Sequence, residues 1–471
     1  MSLRRSRNRL QTRRKFLKTT AAAIAGATLF DVEKLFAITS HVRLDVGPLT
    51  AASPDLVSYA KAIKAMQALP VADPLSWAYQ AAIHGTTLSG SHVAWNTCQH
   101  GTIFFWSWHR MYLYWFERII RKMSGNPNFA LPYWNYESAG ERNLPAPFRN
   151  SASSLYTVNR GVGWNAGTAS LPSSAVATSG FMPTIPYYPA QSGCEGTPHA
   201  TVHVTILGWM GVISTAAQDP IFYLHHANID RLWNLWLKQG GGRSDPLTDN
   251  TWKTTKWTFF DESGKEVHMT SCDVLRAAEQ LDYVYQKEGK QATEYCPKVL
   301  PFPIWEVEAI QPLPAIKLPP GPDPVPFRVD ISQFAQRLSA VRADQKQELA
   351  LQLTGVEADR QPNVYWEVYV APPGAEPNPE SESWIGNVAL FGHGIHDEHQ
   401  HGEFQPAEFS FPIARALDAA AAKNAKEIQL TFVPRGALIS AADAAQAERN
   451  ESTLTVGKAE IVSRRLTTRQ P

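Results

Sequence analysis

The 471-residue chain has only four cysteines, Cys98, Cys194, Cys272 and Cys296, too few for a disulfide scaffold. No two of them form a CxxC pair, which excludes the usual thiolate zinc site and dithiol redox motif. The CxxCH signature of covalent haem is also missing. Net charge is nearly absent, with 44 Lys+Arg against 43 Asp+Glu, so nothing favours nucleic acid or an anionic membrane as partner. Long apolar runs are lacking too; no segment of about 18 apolar residues is present to serve as a membrane anchor. The chain does have ample core-forming material. It is 44% hydrophobic and 18% charged, sufficient for a large core divided between two domains. Its 15 Trp, 15 Tyr and 20 Phe imply a large aromatic core or an aromatic-lined pocket.

The first residues, MSLRRSRNRLQTRRKFLKTTAAAIAGATLF, place a basic stretch and Arg13-Arg14 before a short Ala-rich apolar run. This resembles a twin-arginine export signal, which carries already folded, often cofactor-loaded proteins across a bacterial inner membrane. It implies residues 1–37 as a leader removed near Ala37, the Tat translocase as a partner, and a periplasmic or secreted product. In an oxidising compartment Cys272 and Cys296 could pair.

Between about residues 50 and 240 the pattern is mainly helical: Leu56, Ala60, Ile63 and Leu69 recur on one face, and FERIIRKM continues a helix that begins near Phe104. Asn143 to Cys194, rich in Pro, Ser, Gly and Tyr, reads as a long irregular loop. Residues 312–326, PLPAIKLPPGPDPVP, read as a proline-rich linker that cannot continue a helix or a central strand. Beyond it, short alternating segments such as VYWEVYVA and EIQLTFVPRG predict an antiparallel sandwich or barrel. The expected order is a helical domain over 41–311, the linker, and a smaller β domain over 327–471.

Histidines are concentrated in the helical part. His100 and His109 are nine positions apart. At about 100° per residue they would face opposite ways on one helix, so His100 belongs in the turn before it, where Gly101 permits the bend. His199 and His203 are spaced to lie one turn apart on a single helical face, a chelating arrangement. An HExxH zinc motif is excluded because residue 200 is Ala200. Of the adjacent His225 and His226, at most one can face the same metal, and the other is structural; Asn228 and Asp230 are candidates to receive ring N–H groups. Phe105 and Phe222, each four residues before a histidine, are placed to pack on imidazoles. The tail cluster GHGIHDEHQHG, with His393, His396, His399 and His401, reads as a solvated loop.

HGTIFFWSWHRMYLYWFE and PHATVH…DPIFYLHHANIDRLW resemble the two copper-binding regions of the type-3 copper proteins, the tyrosinases, catechol oxidases and molluscan haemocyanins, over roughly residues 55 to 240. The resemblance implies a mainly α fold with a four-helix-bundle dicopper core. It implies that His84, His100 and His109 hold one copper and His199, His203 and His226 the other, with O2 as co-substrate. It also implies a thioether between Cys98 and His100, as in family members with a cysteine two residues before that histidine.

The implied reaction is oxidation of ortho-diphenols to ortho-quinones with reduction of O2 to water. Glu195 matches a family glutamate that holds a water able to take the phenolic proton. Ala200 stands where monophenol-hydroxylating relatives often have Asn, and Val204 where some bacterial relatives have a basic residue. These departures point to diphenol oxidation with little monophenolase activity. Ile213 aligns with a frequent Phe of plant enzymes and would leave the entrance open. The β domain is similar to the extra domain of plant polyphenol oxidases and implies latency. Small phenols are the implied substrates, and a copper chaperone is a possible partner. The alternatives are a tyrosinase acting on monophenols, an oxidase of ortho-aminophenols, and haemocyanin-like reversible O2 binding, which a single exported unit disfavours.

Overall fold

A computed structural model describes residues 41–469 except 91, 287–301, 320, 322, 345, 396–405, 422–424 and 437–451. The leader-like segment, Cys296, His396, His399 and His401 lie outside the described residues.

Six helices position the histidines: α1 (Pro54–Gln67), α2 (Trp77–His84), α3 (Phe105–Ser124), α4 (Tyr187–Cys194), α5 (Thr201–Ile206) and α6 (Ile221–Lys238). The aromatic segment becomes α3 because its large side chains recur at helical spacing; Phe105, Trp108, His109, Tyr112, Phe116, Ile119 and Ile120 are all buried. α6 is buried along most of its length, with Phe222, His226, Ile229 and Trp233 inside. Both helices feed one aromatic core in which Phe116 and Tyr223 stack with centroids 3.6 Å apart.

The strand His41–Arg43 pairs in parallel with Tyr283–Tyr285 and brings Arg43 into that core. Fully buried, Arg43 meets Glu117 at 2.9 Å and Asp230 at 3.2 Å, while Arg110 binds the other oxygen of Asp230. The loop expected over Asn143–Cys194 is irregular until α4.

Nine strands build the C-terminal part: β1 (Phe302–Pro312), β2 (Ile316–Leu318), β3 (Val325–Asp330), β4 (Gln347–Ala358), β5 (Val364–Ala371), β6 (Trp384–Val388), β7 (Ala407–Pro412), β8 (Glu427–Gly436) and β9 (Leu454–Arg469). One antiparallel sheet has the order β6-β5-β8-β3 and the other β7-β4-β9-β1, with β2 also paired to β9. Leu351, Leu353, Val368, Leu430, Phe432 and Ile461 fill the space between them.

The proline-rich stretch is not a free linker. β1 and β2 pair with β9 and β3 pairs with β8, so the sandwich takes in residues 302–311, expected in the helical domain, together with much of the proline-rich stretch. The prolines are accommodated because β1 and β3 are edge strands, where a missing N–H leaves no central ladder bond unmade. The sandwich also does not stand apart. Tyr365, Ala389 and Phe391 belong to the hydrophobic cluster of the helical core, and Asn387 donates to the Ser174 carbonyl at 2.7 Å.

Candidate metal centre

Each histidine owes its place to a local feature. His84 is the last residue of α2, and His109 lies on the inner face of α3. His100 precedes α3 in a bend at Gly101, whose φ of +65° suits glycine. α4 runs on toward Glu195, but the backbone turns extended at Thr197 (φ −142°, ψ 120°), so His199 opens a new helical turn and His203 follows on α5.

Folding brings these residues into two groups. His84, His100 and His109 each present a ring nitrogen within 4.8 Å of the others, and so do His199, His203, His225 and His226. The groups adjoin: His109 and His226 stack with centroids 4.4 Å apart, and His100 and His199 with centroids 5.3 Å apart.

Backbone carbonyls fix the ring orientations. His84 Nδ1 lies 3.2 Å from the Ile213 carbonyl, His109 Nδ1 2.8 Å from Phe105, His199 Nδ1 3.1 Å from Glu195 and His203 Nδ1 2.7 Å from Met210. A ring that donates through Nδ1 keeps a lone pair on Nε2. In all seven histidines Nε2 is buried with no hydrogen-bond partner. Burial pushes the imidazoles far below their ordinary range, His84 and His225 to about 3, so they are neutral at any physiological pH. Unpartnered lone pairs in an apolar core are costly, and metal ions taking up those of three histidines in each group would relieve most of that cost. This donor set fits a pair of imidazole-bound metals.

Phe105 packs at 4.8 Å on His109 and at 4.7 Å on His199, while Phe222 packs at 4.7 Å on His84 and at 4.2 Å on His226. Each therefore braces one histidine from either group. Asn228 and Asp230 do not serve imidazoles. Asn228 donates to Glu137, and Asp230 is the counter-ion of Arg43 and Arg110. Two buried guanidinium groups need a carboxylate more than a ring already bonded to a carbonyl does. His225 Nδ1 lies 3.1 Å from the Tyr136 hydroxyl. Ala200 and Val204 are fully enclosed and line no open entrance.

Glu195 is buried, accepts a bond from the Gly101 N–H at 2.6 Å and another from Gln191 at 3.0 Å. Burial raises its carboxyl well above the usual range, against the pull of those two donors.

Three residues of the site escaped the sequence reading: Phe391, Gly392 and His393. Phe391 lies parallel to His203 at 3.8 Å, and its centroid is 5.7 Å from His100 and 5.6 Å from His199. A Cβ on Gly392 would come within 2.3 Å of His100 Nδ1. His393 is not in a solvated loop; it is 7% exposed, with Nδ1 3.4 Å from Glu195 Oε1. The glycines flanking Phe391 and His393 were the available signal, since close backbone approach demands them.

Two adjoining histidine groups, four of whose rings are oriented by backbone carbonyls, fit a dinuclear metal centre of the type-3 copper kind. The common central domain of tyrosinase matches residues 74–179 and 165–239, and the polyphenol oxidase middle domain matches 246–296. The chain is 36% identical over 280 residues to a tyrosinase of Hahella sp., covering 48% of this chain and 59% of that one. It is 28% identical over 444 residues to a chloroplastic polyphenol oxidase of Malus domestica, covering 80% and 72%. Latent apple tyrosinase superposes with a TM-score of 0.64 at 24% identity, covering 90% of this chain and 97% of that structure, so the fold with its sandwich is shared. Over its helical part the chain is therefore similar to tyrosinases and polyphenol oxidases. The family's cofactor is a dinuclear copper site with O2 as co-substrate. The chain spans only 59% of the Hahella tyrosinase and under half of the Vicia faba polyphenol oxidase it matches.

Proposed function

We propose that the protein oxidises ortho-diphenols to ortho-quinones, two diphenols giving up four electrons and four protons to one O2 to form two waters. His84, His100 and His109 would hold one copper and His199, His203 and His226 the other. The observation that carries this reading is the set of buried, neutral, unpartnered Nε2 atoms in two adjoining groups. Copper, when bound, supplies the electron transfer to O2. The chain's own groups orient the ring, exclude water and handle protons. His225 serves as a brace through Tyr136 rather than as a ligand. Glu195 is the group best placed to take a phenolic proton. Ala200 and Val204, both apolar and buried, give it no partner for holding a water, which favours diphenol oxidation over monophenol hydroxylation.

The same reading makes the protein latent. With Phe391 on His203, no substrate ring can stack there. It includes a Cys98–His100 thioether, supported by the 3.5 Å separation of Cys98 Sγ from His100 Nδ1. It further includes export by the twin-arginine route, supported by Arg13-Arg14, with a separate copper chaperone. Replacing both arginines with lysine in a fusion of residues 1–37 to a reporter should keep the reporter inside the cell; unchanged export would refute the route.

Oxygen uptake by copper-loaded protein given a catechol and its matching monophenol tests the main reading. Uptake with the catechol alone is expected. Uptake with both from the start would make it a tyrosinase in the strict sense, and saturable O2 binding without turnover would remove the enzymatic reading.

A further inference from the structure

A second cavity, of about 430 Å³, lies where the helical core meets the sandwich. The core contributes Tyr187 and Tyr188, and the sandwich contributes Trp305, Trp384, Phe409 and Phe411. Its volume and aromatic walls are those of a small-molecule site. Arg464 reaches the lining but is spent on Glu348, at 2.5 Å, and on Ser410, at 2.7 Å, so its charge is already neutralised within the protein. A neutral aromatic occupant would bury its rings against the six aromatic side chains.

We propose that this cavity binds a planar, uncharged aromatic molecule of one or two rings, separately from the histidine centre. A ligand that needs walls from both parts binds only while the sandwich is docked, and by linkage it favours the docked state. Two features transmit that effect. Gly196 and Thr197 line the cavity just before His199, and Asn387 lines it four residues before Phe391. Asn387 also spans the junction, 3.3 Å from the Thr197 hydroxyl. The occupant therefore holds Phe391 in place and opposes activation; this second part rests on the latency reading.

The test titrates full-length protein with 7-methoxycoumarin, an uncharged, planar two-ring molecule with no free phenol to oxidise. Saturation with one molecule per chain is expected, with or without copper. Gly180 also lines the cavity, and a Cβ there meets nothing within 4 Å; Gly180→Phe should fill the space and weaken binding at least about tenfold. Absence of saturation at millimolar coumarin, or binding unchanged by Gly180→Phe, would overturn the site. In a second arm, coumarin should slow the appearance of oxygen-uptake activity during limited proteolysis of wild-type protein but not of Gly180→Phe. An unchanged or faster rate would overturn the coupling while the binding result stands. The binding arm needs no enzymatic activity, so it also stands apart from the assigned reaction.

Discussion

The Phe391 ring lies over the His203 imidazole, 3.8 Å between centroids and 9° from parallel. One residue comes from the loop after β6 and the other from α5, so this contact across the two parts of the fold covers one face of an imidazole in the histidine centre.

Shortening that ring should open the site. Phe391→Ala in the full-length copper-loaded protein is expected to raise catechol oxidation by about tenfold, because an aromatic stacking contact contributes about 0.5–1.5 kcal/mol beyond the area it buries. Gly392→Ala should act in the same direction, since its Cβ would collide with His100. Initial rates of oxygen uptake decide this; rates equal to wild type for both variants would show that the loop does not limit access.

A thioether removes the thiol hydrogen of Cys98 and one ring hydrogen of His100, so the thiol is lost. Copper-loaded, air-exposed protein that is then denatured should yield Cys194 but not Cys98 in an alkylation and peptide-mass experiment. Recovery of alkylated Cys98 would reject the crosslink. Protein kept copper-free throughout should give both, as both cysteines are unbridged.

Asp230 is the hub of the polar core. Burial alone would raise its pKa, yet Arg110 and Arg43 hold it below the ordinary carboxylate range, helped by the Tyr283 and Tyr285 hydroxyls at 2.6 Å. Asp230→Asn would leave two buried guanidinium groups without that charge and should cost about 3–5 kcal/mol in denaturant unfolding. A loss below about 1 kcal/mol would mean that Glu117 alone compensates Arg43.

Asp245 carries the opposite shift. Burial pushes its pKa up to about 7, against the pull of Arg110 and the Trp233 indole N–H. Between its unfolded value near 4 and about 7 the folded chain keeps a proton that the unfolded chain has lost, so this group's contribution to stability falls as pH rises through that window. Asp245→Asn should remove that fall, on the order of 4 kcal/mol at most, leaving unfolding free energy flatter from pH 5 to pH 8. A wild-type profile in the variant would show that Asp245 is ionised in the folded state.

The sequence by itself determined the histidines and much of the order of elements. Helical spacing set His199 and His203 on one face, and the nine-residue gap with Gly101 put His100 ahead of α3. Alternation revealed most of the sandwich, because one buried face imposes a period of two. Tertiary structure decided what local pattern cannot encode. Proline density looked like a linker, but edge strands tolerate proline, and only the pairing of β1 with β9 shows which strands are edges. Asp230 looked like a partner for an imidazole until the strand at His41–Arg43 brought a second arginine to it. Phe391, Gly392 and His393 look like loop residues because nothing within ten positions of them forms the site. Their role arises from a contact between segments almost two hundred residues apart, Phe391 against His203, and is set by how the sandwich docks.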